Sequence, residues 1–312
     1  MNVKVIKKFP DVSDPKFSFK EWNQHFLTHN VILNDFYSKI YYPTHWTPLS
    51  IKCAFGGTEF YVTDKIRYGV DDKSYLILND GTLYESYIDS ETKVESFTLN
   101  FKREFVDEVF HSLSNNDDIL IDYPEIREKS PVNFFEKLYQ YNSFIISHLY
   151  NLRSLIKSSS YDYNAINESL YLILEAMFSE QIHSFEEAVS LNAKRRSTKL
   201  ELYKRLTFAK DYIYSNYYEK IELKDLAKIS CLSPYHLLRK FKSQFGITPH
   251  QYLTMRRIEA AKKMLNNTNK SITEICLSVG FESLSSFGDL FKKYYSLSPE
   301  KYRLSAQPKK QF

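Results

Sequence analysis

From about Val31 to Phe101, apolar residues recur at every second position in short runs. "SIKCAF" places Ile51, Cys53 and Phe55 on one face, "KIRYGV" does so with Ile66, Tyr68 and Val70, and "SFTLNF" with Phe97, Leu99 and Phe101. A period of two is that of an extended strand with one face buried. Turn-forming residues separate the runs: Gly56-Gly57, Asp71-Asp72 and Asn79-Asp80-Gly81. Short strands with such turns predict an antiparallel sandwich or small barrel. The first twenty residues are polar, contain Pro10 and Pro15, and read as an irregular arm.

After Phe101 the period changes. Phe101, Phe105, Val109 and Leu113 stand four apart, the spacing of a helical stripe. Helical spacing continues over 131–157, through Leu138, Tyr141, Ile145, Leu149 and Leu152. It resumes over 162–190, through Ile166, Leu170, Ile173, Leu174 and Met177. Two such helices outside a β domain either pack on it or form a subunit interface. "SLNAKRRSTKL" (190–200) is basic and polar and reads as a hinge. The expected division is 1–125 for the sheet domain, 126–190 for a helical dimerisation or connector region, 191–200 for a linker and 201–312 for a second domain.

Charge sharpens that division. The net charge of +4 is small, but residues 1–190 hold 18 Lys and Arg against 28 Asp and Glu. Residues 191–312 hold 24 against 10, which points to a polyanionic partner for the second domain alone. The three cysteines (Cys53, Cys231, Cys276) fit no disulfide framework or zinc spacing, so a reducing, cytoplasmic compartment is expected. The opening "MNVKVIKKFPDVSDP" lacks the apolar core of a signal peptide, and no membrane-spanning run is found.

Within the basic domain a unit is repeated. "LSPYHLLRKFKSQFGITPHQY" (232–252) and "ESLSSFGDLFKKYYSLSPEKY" (282–302) align Leu237, Phe241, Phe245, Pro249 and Tyr252 with Phe287, Phe291, Tyr295, Pro299 and Tyr302. Each copy reads as a short helix, a sharp turn and a second helix. Leu223, Leu226 and Ala227 form the inner face of the first short helix, and Ile272, Ile275 and Cys276 that of the second. Ser230-Cys231-Leu232 and Val279-Gly280-Phe281 make the turns, and Ser233 and Ser283 are the N-caps of the helices that follow. Glycine suits a left-handed turn position, and Cys231 is expected to be less comfortable there. This is the helix-turn-helix arrangement, here over 222–245 and 271–294.

With Leu237, Phe241 and Phe245 inward, Tyr235, Arg239 and Lys242 form the opposite stripe, flanked by Leu238, with His236 and Lys240 in a neighbouring row. Such a face can enter a major groove, Arg pairing with guanine and Lys meeting phosphate. Between the copies, 250–267 lacks Gly and Pro and predicts a rod of about 26 Å, decorated by Arg256, Arg257, Lys262 and Lys263. Two recognition helices so spaced suit adjacent grooves, roughly 34 Å apart.

Residues 200–304 resemble the DNA-binding domain of the AraC/XylS family of bacterial transcription regulators. The motifs are "LKDLAKISCLSPYHLLRKFKSQFGITPHQY", "MRRIEAAKKML" and "SITEICLSVGFESLSSFGDLFKKYYSLSPEKYR". The resemblance implies seven helices and base-contacting positions at Tyr235, Leu238 and Arg239, then Leu284, Ser285, Ser286, Gly288 and Asp289. Asp289 and Leu284 depart from the family, where a basic residue and Gln are common. The second unit is therefore expected to position the protein through Lys292 and Lys293 more than to read bases. With the caps Ser233 and Ser283, these residues and Arg256 form the expected DNA contact set.

The front half resembles the family's cupin-like antiparallel barrel with flanking helices, so the fold class expected is α+β, multidomain, with an all-α second domain. The family implies a homodimer, a small effector such as a sugar, and contact with RNA polymerase if the protein is an activator. His45, Trp46, Tyr68 and Tyr84 are the candidate effector residues, although ring-rich strands also arise as ordinary sheet. Catalytic cupins need a cluster of His and Glu, and only His45 lies near the barrel, so no metal or other cofactor is expected. Neither a nucleophile arrangement nor a phosphate loop of the G-x-x-x-x-G-K type is found. Two other readings stay open: a cupin-type enzyme with a DNA-binding tail, and a regulator whose front domain only binds proteins.

Overall fold

A computed structural model describes residues 2–63, 66–114, 133–158 and 160–306. The chain divides into two compact units, 1–200 and 201–312. The expected boundary at 125/126 lies outside the described residues.

The first unit is built on eight strands among the described residues: β1 (Val3–Ile6), β2 (Asn30–Trp46), β3 (Ser50–Phe55), β4 (Glu59–Val62), β5 (Arg67–Val70), β6 (Ser74–Leu78), β7 (Leu83–Asn100) and β8 (Leu138–Gln140). Their order is β1-β2-β7-β3-β6-β8, with β4 pairing β7 and β5. The path is open rather than a closed ring, and β1 pairs β2 in parallel, so the sheet is mixed. This corrects the expected all-antiparallel barrel. It also corrects the irregular arm, since the arm begins with the apolar run of β1 laid along Asn30–Leu33. Strands β2 and β7 are longer than any run in the sequence pattern. Register shifts between Tyr37/Lys39 and Tyr42/His45 let β2 bend while staying paired with β7.

Four helices accompany the sheet: α1 (Phe19–Thr28), α2 (Arg103–Ser114), α3 (Ser143–Leu155) and α4 (Tyr163–Ser190). The helical region expected from 131 is broken by β8, which pairs with β6 and stacks Tyr139 on Tyr75. Asn142 then caps α3, its side-chain oxygen accepting from the Ile145 N–H. Ile145, Leu149 and Leu152 of α3 and Ile166, Leu170, Ile173, Leu174 and Met177 of α4 share one core with Ile51, Cys53, Phe55, Phe97 and Leu99. The two stripes are thus engaged against the sheet within the chain, and neither is a free face for a subunit interface.

The second unit contains seven helices among the described residues: α5 (Arg196–Asn216), whose first turn precedes the division, α6 (Leu223–Ile229), α7 (Pro234–Phe245), α8 (Pro249–Asn267), α9 (Ile272–Ser278), α10 (Leu284–Tyr295) and α11 (Pro299–Ala306). Helix α8 packs on α7 and on α9, α10 and α11, making it the spine of the unit. Its start is fixed by a capping box between Thr248 and Gln251, with Pro249 at the first helical position.

Candidate nucleic-acid interface and a buried cavity

The two helix-turn-helix units repeat one set of contacts. In the first turn Leu232 N–H donates to Ala227 O at 2.9 Å, and Cys231 N–H to Lys228 O at 3.1 Å. In the second, Phe281 N–H donates to Cys276 O and Gly280 N–H to Leu277 O, both at 3.0 Å. Both turns pass through the left-handed region, at Cys231 (φ 50°) and Gly280 (φ 88°). Ser233 and Ser283 each accept from the N–H three residues on, His236 and Ser286, at 3.3 Å. Behind each recognition helix sits the same aromatic triad. Phe241 packs on Phe245 at 4.7 Å and Tyr252 at 6.2 Å between ring centroids; Phe291 packs on Tyr295 at 4.9 Å and Tyr302 at 5.5 Å.

With Leu237 and Phe241 fully buried, α7 turns Tyr235 (74% exposed), Leu238, Arg239 and Lys242 outward. The Arg239 guanidinium lies 5.9 Å from the Tyr235 ring centroid. His236 and Lys240 are half-buried beside them. Burial, aided by the charges of Lys240 and Arg239, lowers the His236 pKa. On α10, Leu284, Ser285, Ser286, Asp289, Lys292 and Lys293 are exposed, while Phe287 and Phe291 are buried. Each face thus carries most of the residues expected on it. Ser233 and Ser283 are exposed too, with their hydroxyl oxygens engaged as caps.

Arg256 does not belong to either face. It is 6% exposed, with its guanidinium 3.4 Å from the Tyr214 ring centroid and bonded to Glu259 at 3.0 Å. The expectation that it decorates an exposed rod is corrected, because α8 is the spine of the unit: Arg256 is buried and Arg257 and Lys262 are half-buried, while Lys263 stays exposed. Arg257 donates to the carbonyls of Tyr217 and Glu219, both at 2.8 Å, and Lys262 sits over the Tyr295 ring. These are positioning contacts that a run of basic residues on a helix does not reveal.

In the first unit a cavity of about 40 Å³ lies between the sheet and the N-terminal segment with α1. His45 and Tyr84 line it, their rings 4.3 Å apart, but Trp46 and Tyr68 do not. Trp46 lines a separate apolar pocket with Phe26 and Leu49, and the Tyr68 hydroxyl donates to Glu136 O at 3.3 Å. The candidate effector set is therefore split. Burial pushes the His45 pKa down to about 4. Tyr61, one of the ring residues of the strands, also lines it, while the remaining polar lining, Lys52, Glu59, Ser86, Ser96 and Thr98, escaped the sequence reading. Lys52 and Thr98 stand one residue off the apolar positions of their strands, on the face read as solvent-facing. The signal was a lysine inside "SIKCAF", a run otherwise too apolar for an exposed face.

A helix-turn-helix domain model matches residues 226–305. The probable transcriptional regulator LumQ of Photobacterium leiognathi is 25% identical over 198 residues, 64% of this chain and 75% of LumQ. The C-terminal part of the chain carries an AraC-type helix-turn-helix domain, and its relatives are transcriptional regulators of the AraC/XylS family. Another AraC/XylS relative, AdaA of Bacillus subtilis, described as a bifunctional transcriptional activator and DNA repair enzyme, is 43% identical over 93 residues. That match covers 30% of this chain and 44% of AdaA. The C-terminal domain of the response regulator yesN from Fusobacterium nucleatum subsp. nucleatum is similar at 36% identity and a TM-score of 0.30. It covers 30% of this chain and 93% of that domain. Among the described residues, no helix is long and apolar enough to cross a membrane.

Proposed function

We propose that α7 and α10 enter consecutive major grooves of one face of duplex DNA and that a small effector held in the first unit controls this binding. The observation that carries the reading is the doubled unit: two turns of one geometry and two outward recognition faces on a common spine. Helix α8, at 19 residues, is roughly 28 Å long, comparable with one helical repeat of DNA. The first unit supports the effector through a small, partly open cavity lined by both polar and aromatic side chains. The protein then acts on DNA in the cytoplasm, and as an activator it would meet RNA polymerase there. A homodimer fits the same reading. Its interface would come from outward rings such as Phe144 and Tyr150 on α3, since the inner stripes are engaged.

Selection of bound duplexes from a randomised pool tests the reading. The expected product is a bipartite motif with its halves about 10–10.5 base pairs apart. Affinity for it should fall by orders of magnitude between 50 and 200 mM salt, as counterions are released. A motif confined to one groove, or binding indifferent to salt, would contradict it.

A further inference from the structure

The cavity of the first unit encloses two opposite charges that do not meet. Lys52 on β3 is 1% exposed and donates to the Tyr84 hydroxyl at 2.9 Å, its ammonium 4.6 Å from that ring's centroid. Glu59 on β4 is 3% exposed, and its Oε2 accepts no hydrogen bond. Neither a hydrogen bond nor an ion pair within 4 Å joins the two among the described residues. The Tyr61 hydroxyl and Ser96 Oγ are buried beside Glu59 in the lining, close enough to draw its pKa down but without a hydrogen bond of good geometry.

Buried polar groups in folded proteins are almost always satisfied, and an unpaired buried charge is costly. Burial drives the Lys52 pKa down and the Glu59 pKa up, while each charge draws the other back toward ionisation. Two buried, unjoined charges around one space, one of them ringed by hydroxyls that are poorly aligned to it, describe a site built for a partner. A neutral polyol would satisfy hydrogen bonds but leave both charges without a counter-charge. A molecule carrying both signs would supply both. The rest of the lining, Phe9, Phe17, Phe19 and Trp22 from the N-terminal segment, is an apolar and aromatic wall that suits a short organic side chain.

We propose that this cavity takes a small zwitterion of the free α-amino-acid class, its carboxylate on Lys52 and Tyr84 and its ammonium on Glu59, Tyr61 and Ser96. The proposal rests on the reading of the first unit as an effector sensor and names the chemistry of that effector.

Thermal unfolding of the full chain against the twenty free L-amino acids, and separately against xylose and glucose, is the test. One or a few amino acids should raise the melting temperature saturably, as a ligand of the folded state must. For a responding amino acid, its decarboxylated amine and its deaminated acid should each bind at least tenfold more weakly to the unaltered protein. Lys52→Met and Glu59→Gln should each weaken it by a similar factor; the analogue arm decides the matter where a variant does not fold. Equal binding of the amino acid and both analogues would overturn the charge pairing. A shift with a sugar and none with any amino acid overturns the ligand class while leaving the sensor reading in place. No shift with any compound counts against both.

Discussion

The two helix-turn-helix units differ in an instructive way. Each has two left-handed backbone positions, one in the turn and one after the recognition helix. The first unit places Cys231 in the turn and Gly246 at the helix end; the second places Gly280 in the turn and Ser296 at the end. The geometry is kept while the glycine moves. Surroundings explain part of this. A Cβ on Gly280 would lie 2.8 Å from the Tyr218 carbonyl oxygen and 2.9 Å from an Arg257 nitrogen, whereas Cys231 is exposed. Where the chain passes close to other backbone, only glycine fits; where the turn faces solvent, a strained cysteine is tolerated. The outward faces have diverged further. One carries Tyr235, Arg239 and Lys242, the other Leu284, Ser285 and Asp289. Packing constrains the buried side of each unit and leaves the outward side free to vary.

The largest expected effect breaks the comparison at the turns. Gly280→Ala must adopt a left-handed conformation and displace a carbonyl, so it should destabilise by about 2–4 kcal/mol. The urea midpoint of the full chain reads this out. A loss below about 0.5 kcal/mol would make the two turns equivalent and remove the steric argument.

A second, smaller effect weighs the recognition faces. If Arg239 reads a guanine, Arg239→Ala should cost about 1–3 kcal/mol and relax the preference at one base pair. Asp289→Ala should change specific binding by less than about 0.5 kcal/mol and tighten binding to unrelated duplex, by removing repulsion from phosphate. Lys292→Ala should weaken all sequences alike and lower the salt slope by roughly one unit. Binding measured on a randomised operator library separates these. Loss of preference with Asp289→Ala and not with Arg239→Ala would reverse the ranking of the two units.

The smallest effect concerns Gly288, which lies mid-helix in α10 with open space where a Cβ would stand. Gly288→Ala should stabilise the protein by roughly 0.5–1 kcal/mol. If affinity for the selected operator is unchanged as stability rises, the position is free. A fall in affinity would show that the backbone approaches DNA closely at Gly288, and would raise the second unit's share of recognition.

Much of this architecture was legible in the chain. The doubled spacing of Leu237, Phe241 and Phe245 with Phe287, Phe291 and Tyr295 marks both recognition helices, because a helix with one buried side repeats its apolar residues at three and four. The period-two runs marked β3, β5 and the end of β7 for the matching reason. The apolar spacing also ran through Leu138 and Tyr141, where the chain forms a strand. Three residues are too few for a period to distinguish strand from helix, and pairing with β6 settled it.

The sequence by itself determined what local periodicity and local backbone chemistry can encode: the repeat, its caps, its turns and the polarity of its outer faces. Tertiary structure decided where each charge points. Arg256 read as a surface cation, and Lys52 drew no reading at all, because their neighbours in sequence do not reveal what packs over them. Arg256 is buried because α8 is enclosed by the other helices, and Lys52 because a strand with one apolar face has its other face covered by the N-terminal segment. Burial is set by segments distant along the chain, and a pattern read within one segment does not contain it.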